Sequence, residues 1–212
     1  MSAMKRSTEV RQAEIAQAAL GLIAAKGMKG LSVAALGREI GIVPSGLYRH
    51  YRNKTAMLDA VLTFIHERFD TNVQTVLATD GDALTRLHAL LMRHIRLIQE
   101  NESIPAVVFS AEVYTQNPKS RAKLLGIIES YLKDIAGMVT QEQKEGTIRS
   151  ELTPATVAML FLGLIQPSTI VWHLSAGKYD VTAQAEAAWP MFCRAIQSNG
   201  HRRTGRRSHD RN

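Results

Sequence analysis

The sequence predicts an all-α fold of about nine helices, three forming an N-terminal domain and the rest a larger helical body. Three observations carry that expectation. Apolar residues recur at helical spacing, as Ile15, Ala19, Leu22 and Ile23 do at i, i+4, i+7 and i+8. No stretch alternates as a half-buried strand would. Starting and stopping residues punctuate the chain at ordinary helix lengths.

Taken in order, Gly27 and Gly30 end the first helix, Ser32 caps the second, and Gly41 turns the chain toward a third that begins at Pro44. Asn53 starts a long helix reaching about Ala78, and Asp80 to Asp82 mark the turn after it. Pro105 opens a short helix. Asn117 with Pro118 starts a long one ending near Gly146, and Thr153 with Pro154 repeats that signal. The last helix is expected from Thr182 to Gln197, beyond Gly177. On this reading residues 9–69 form the first domain, with a helix-turn-helix over 32–51, and residues 70–200 form the second. The Arg-rich tail, 201–212, has no apolar period with which to fold and is expected to be disordered.

With 45% hydrophobic residues the 212-residue chain can bury a substantial core. Its net charge of +7 is unevenly placed. Residues 1–56 hold nine Lys or Arg against three acids, 57–200 hold twelve against fifteen, and 201–212 hold five Arg against Asp210. A basic head on a mildly acidic body fits a head that meets a polyanion, because each neutralised phosphate releases condensed counterions. Nucleic acid is therefore the leading partner. The single cysteine, Cys193, excludes an internal disulfide and is read as a buried thiol. The N-terminal residues lack the apolar run of a secretory leader, so a cytoplasmic location is expected.

The segment from Leu31, LSVAALGREIGIVPSGLYRHYRNKTAMLDAVL, carries the function. Val33, Leu36 and Ile40 make one apolar stripe on a short helix, and Gly41 supplies the backbone freedom of a tight turn. Pro44 has its φ set for a first helical turn, so the next helix runs from there through His50. Leu47 and Tyr51 face the core. Pro44, Ser45 and Gly46 are small enough to let the backbone approach a DNA groove, with Arg49 either reading bases or solvated. Tyr48, His50 and Lys54 place a hydroxyl, an imidazole and an ammonium where they can bind phosphates beside a recognition helix. Ser32 and Val33, at the start of the second helix, complete the predicted DNA-binding set.

Residues Arg11 to Leu62 resemble the N-terminal domain of the TetR/AcrR family of transcriptional regulators. The shared pattern is a glycine-ended first helix (Gly27), Ser32, the Gly41 turn, and the run Leu47, Tyr48, Arg49, His50, Tyr51, Arg52, Asn53, Lys54. The resemblance implies DNA-contact roles for Ser45, Tyr48, His50 and Lys54. Two positions depart from the pattern. Val43 stands where Ser or Thr usually caps the recognition helix, and Thr55 where Glu is common. A lost cap costs about 1 kcal/mol, which leaves Pro44 and packing to hold that helix start.

The body contains no P-loop, no dinucleotide fingerprint, no H-E-x-x-H and no G-x-S-x-G, so no enzyme activity and no cofactor is expected. His88 and His94 are six apart and do not share a helix face at metal-ligand spacing, so no metal site is expected. Thr153 to Gly177 has no Asp, Glu, Lys or Arg. Gln166, Pro167, Ser168, Thr169 and His173 argue against its spanning a membrane, and a partner, most simply a second copy, is expected to cover it.

The resemblance further implies a homodimer built on the last two long helices. Ala158, Leu162 and Thr169 on one, and Ala185, Ala188, Trp189, Phe192 and Ile196 on the other, are the interface candidates. It also implies an effector pocket among the middle helices. Its candidate walls are Met92, Ile95, Phe109, Val113, Ile127, Phe161, Ile165 and Trp172, with Tyr114, Tyr131, Gln166 and His173 as polar anchors. Such a pocket favours a small, mostly hydrophobic effector. The whole reads as a ligand-responsive repressor that binds a palindromic operator on double-stranded DNA. The alternative is a nonspecific or architectural DNA-binding protein.

Overall fold

The computed structural model describes residues 2–48 and 51–198, with side chains for 11–43, 46–48 and 51–198. Arg49, His50 and the tail 201–212 lie outside the described residues, as do the side chains of Pro44 and Ser45. Among the described residues the fold is all-α, with nine α-helices, one π turn and no strand. By contacts the chain forms two compact units. Among the described residues, 2–48, 51–74 and 93–130 make one, and 75–92 with 131–198 make the other. The head helices thus share a unit with a stretch of chain well beyond residue 69.

In the first unit α1 (Ser2–Gly30) buries Ile15, Ala16, Ala19, Leu20 and Ile23 on one face and breaks at Gly27, whose φ of 67° and ψ of 178° are not helical. Helix α2 (Val33–Glu39) starts where the Ser32 hydroxyl accepts the Ala35 amide at 3.1 Å. Gly41, at φ 68°, turns the chain into α3 (Pro44–Tyr48). Leu36 and Leu47 are fully enclosed, each contributing roughly 1.5–3 kcal/mol. Helix α4 (Lys54–Leu77) begins where Asn53 Oδ1 accepts the Ala56 amide. The core of this unit also takes in Leu97 of α5 (Ala83–Glu100), Ile104 and Val107 of α6 (Ser103–Val108), and Val113. Val113 belongs to the π turn Glu112–Gln116, which no periodicity in the sequence foretold. Asn117 Oδ1 then accepts the amides of Lys119 and Ser120 to start α7 (Pro118–Lys144).

In the second unit α8 (Pro154–Leu174) packs against α9 (Val181–Ile196) through the edge-on rings of Phe161 and Phe192, 6.0 Å apart. Thr153 precedes α8 but its side chain makes no capping bond, so Pro154 alone supplies the start signal. Asp180 caps α9 through the Ala183 amide and sets its start one residue before Thr182. Pro167 lies inside α8, and the hydroxyls of Ser168 and Thr169 bond back to the Leu164 and Ile165 carbonyls. Cys193 is half-buried rather than enclosed, and burial pushes its thiol up.

Candidate nucleic-acid interface

The head presents a short helix behind a glycine turn. The Gly46 amide bonds to the Val43 carbonyl, so the turn closes on backbone and needs no side-chain cap from Val43, which projects into solvent. At Gly46 a β-carbon would come within 3.2 Å of the Ile42 Cγ2 methyl, a tight contact that a larger residue would meet only if Ile42 gave way by a few tenths of an ångström. Leu47 anchors the helix from below, and Tyr51, beyond it, is buried with its hydroxyl pushed up by loss of solvent. Tyr48 stands on the opposite side, 51% exposed.

The predicted DNA-binding residues divide accordingly. Tyr48 is available at the surface. Ser32 is exposed, but its hydroxyl caps α2. Val33 is buried, its side chain part of the apolar stripe with Leu36, so that side chain is not available at the surface. Lys54 has partners already. Its ammonium donates to the Met28 carbonyl at 2.6 Å and to Glu112 Oε1 at 3.0 Å. That hydrogen bond, before any other influence, holds the Glu112 carboxyl below the usual range. Sequence reasoning missed Glu112, which lies 58 residues from Lys54 in a segment with no local signal.

The architecture and motifs match a known group. The description "Bacterial regulatory proteins, tetR family" fits residues 15–61, and "YsiA-like protein, C-terminal region" of the same family fits residues 65–195. The chain belongs to the tetR family of bacterial regulatory proteins. Its relatives include the fatty acid metabolism regulator protein of Bacillus subtilis, 21% identical over 87% of this chain and 95% of that one. The nucleoid occlusion factor SlmA of Photorhabdus laumondii is 24% identical over 88% and 94%. Among solved structures, the fatty acid degradation regulator FadR of Bacillus halodurans superposes with a TM-score of 0.76 at 18% identity, covering 86% of this chain and 94% of that one. FadR of Bacillus subtilis, solved with stearoyl-CoA, has a TM-score of 0.73 at 21% identity, covering 86% and 98%. The family model describes bacterial regulatory proteins, and FadR of Bacillus subtilis is a transcriptional regulator.

The body of this TetR-family chain sorts its predicted residues by face. Ile95, Val113 and Ile127 are buried in the first unit, where Phe109 and Tyr114 lie exposed with ring centres 6.2 Å apart. In the second unit Tyr131, Phe161, Ile165 and Trp172 are buried and Met92 is half-buried. Burial and the charge of Asp134 raise the Tyr131 hydroxyl above its ordinary value. Gln166 and His173 lie on the solvent side of α8, and Tyr114 is exposed, so of the four expected anchors only Tyr131 is enclosed. A cavity of about 390 Å³ in the second unit has other walls, among them Leu77, Ala83, Arg86, Met138 and Glu142.

The interface candidates also sort by face. Ala158, Leu162, Thr169, Ala185, Phe192 and Ile196 are buried within the chain itself, and Ala188 and Trp189 are half-buried, Trp189 stacked on Phe192. These are the stripes through which α8 and α9 pack on each other within the protomer. The opposite face of α8 carries Met159, Leu160, Ile170, Val171 and Leu174, all exposed, and α9 adds Met191. Helix α8 is, among the described residues, the one helix long and apolar enough to cross a membrane. The described residues hold no group of three or more metal-ligating side chains.

Proposed function

We propose that this TetR-family regulator is a ligand-responsive repressor acting as a homodimer on a palindromic operator. The observation that carries the reading is the Gly41-turned helix with Tyr48 exposed on a basic head. The family resemblance assigns phosphate and groove contacts to Ser45, Tyr48, His50 and Lys54, and Arg49 is the base reader of this scheme. The exposed apolar face of α8 with Met191 of α9 is the surface a second copy would cover, since a patch of this kind left open invites aggregation. Gln166 and Pro167 in the middle of α8 favour that partner over lipid, and a cytoplasmic location accords with it.

The effector is a small, mostly hydrophobic molecule. Long-chain acyl thioesters are the first class to try, because a structural neighbour was solved with stearoyl-CoA. Effector and operator would weaken each other's binding by one coupling free energy, commonly about 1–3 kcal/mol. Sequencing the genomic fragments that purified protein retains would identify the operator. A specific regulator should prefer that site over random duplex by about a thousandfold or more, and stearoyl-CoA should reduce the preference. Equal affinity for both duplexes would instead support nonspecific DNA binding, a reading favoured by the +7 charge and by similarity to nucleoid occlusion factors.

A further inference from the structure

The N-terminal half of α4 is clasped by polar side chains from the π turn and the start of α7, all within the first compact unit. Glu112 Oε1 takes the Lys54 ammonium at 3.0 Å. Asn117 Nδ2 donates to Thr55 Oγ1 at 3.1 Å. Lys123 Nζ reaches Asp59 Oδ1 at 2.8 Å and also the Thr63 hydroxyl. Lys54 and Glu112 are each about one-third exposed or less, so their attraction is less screened than that of a fully solvated pair.

We propose that Glu112 competes with DNA phosphate for the Lys54 ammonium, so that operator affinity reads the position of the π turn that carries Glu112. This rests on the reading of Lys54 as a phosphate-binding group given above. An ammonium has three protons, and here Met28 and Glu112 occupy two of them. More important is charge. A cation neutralised by a carboxylate at 3.0 Å presents little net field to a phosphate arriving from solvent. Glu112 begins a π turn, an arrangement that is rare and frequently marks functional sites. Any change that draws this turn away from α4 unmasks Lys54 and adds one phosphate contact to the head. Any ligand that holds the turn in place keeps that contact unavailable. The turn is thereby coupled to DNA binding through a single charge.

The test measures binding of a labelled random-sequence 24-base-pair duplex against salt concentration, since a phosphate contact does not depend on base sequence. Four proteins are compared with the native chain: E112Q, K54M, the E112Q/K54M pair, and E129Q, which removes an equal charge at an exposed residue of α7. Glutamine keeps the shape and an acceptor oxygen while losing the charge. E112Q is expected to steepen the logarithmic salt slope by about 0.9, one added phosphate. Its advantage over the native chain then grows about threefold as salt falls from about 200 to about 50 mM. E129Q should leave the slope unchanged, and the gain should vanish in E112Q/K54M. A native slope in E112Q would overturn the proposal, as would a gain that survives without Lys54, which would mean simple repulsion. A shallower slope in E112Q would show that Glu112 positions Lys54 for DNA, the reverse of competition. If the native chain fails to bind duplex at any salt, the DNA-binding reading falls as well, an outcome distinct from the other three.

Discussion

Glu142 Oε1 accepts the backbone amide of Ala83 at 2.8 Å, so a carboxylate from the end of α7 caps the first turn of α5. The side chain is 2% exposed, and its second oxygen is buried without a hydrogen-bond partner. A carboxylate suits a helix N-terminus, where unpaired amides and the helix dipole favour negative charge. Glu142→Ala removes the cap and leaves the amide buried, and should cost about 1–3 kcal/mol in urea unfolding. An unchanged midpoint would mean that water replaces the carboxylate at no cost.

Gly41 holds φ at 68° with open space where a β-carbon would stand, so substitution there is opposed by the backbone alone. Gly41→Ala should lower stability by about 1–2 kcal/mol, and Gly41→Asn by less, because asparagine tolerates the left-handed region. Thermal melts of the two variants give the ranking, and equal losses would point to a packing cause.

Tyr48 is exposed, so its removal should leave the fold intact while weakening DNA binding. Tyr48→Phe loses only the hydroxyl and should weaken operator affinity by about 1 kcal/mol, roughly fivefold, at an unchanged salt slope, because the group is neutral. Circular dichroism alongside a binding titration checks both halves.

Leu174 is 80% exposed at the end of the apolar face of α8. If two copies meet there, Leu174→Glu or Val171→Glu should shift the protein toward monomer in sedimentation equilibrium without loss of helix content. A dimer unaffected by both would place the interface elsewhere.

His94 is buried against the Phe69 ring at 4.6 Å between centroids, and burial lowers its pKa from 6.5 to about 3. Between those values the unfolded chain binds a proton that the folded chain does not. Stability from this group is therefore fully present above pH 6.5 and is lost as pH falls toward about 3, at a slope of up to about 1.4 kcal/mol per pH unit. His94→Gln should flatten the stability profile in that window, as measured by urea unfolding from pH 7 to pH 4.

The legible features were local ones. Ser32, Asn53 and Asn117 act as caps because their oxygens reach amides two or three residues on, an interaction written in a few adjacent letters. Gly27 and Gly41 adopt the positive φ that their positions require. The π turn carried no such signal, and neither did the cap on α5, whose donor and acceptor are 59 residues apart.

What the sequence by itself determined is therefore the helices that local caps and glycines delimit, at Ser32, Gly41, Asn53 and Asn117, and that a glycine-turned basic head leads the chain. The tertiary structure alone decided which way α8 faces and whom Lys54 meets. A helix apolar on nearly all sides has too little polar face to declare its outside, so tertiary packing, including Phe161 against Phe192 of α9, separates Phe161 and Trp172, turned inward, from Ile170 and Leu174, turned out. Likewise a lysine's charge is a property of the residue, but its counterion is a property of the fold, because the chain must close on itself before Glu112 can reach it.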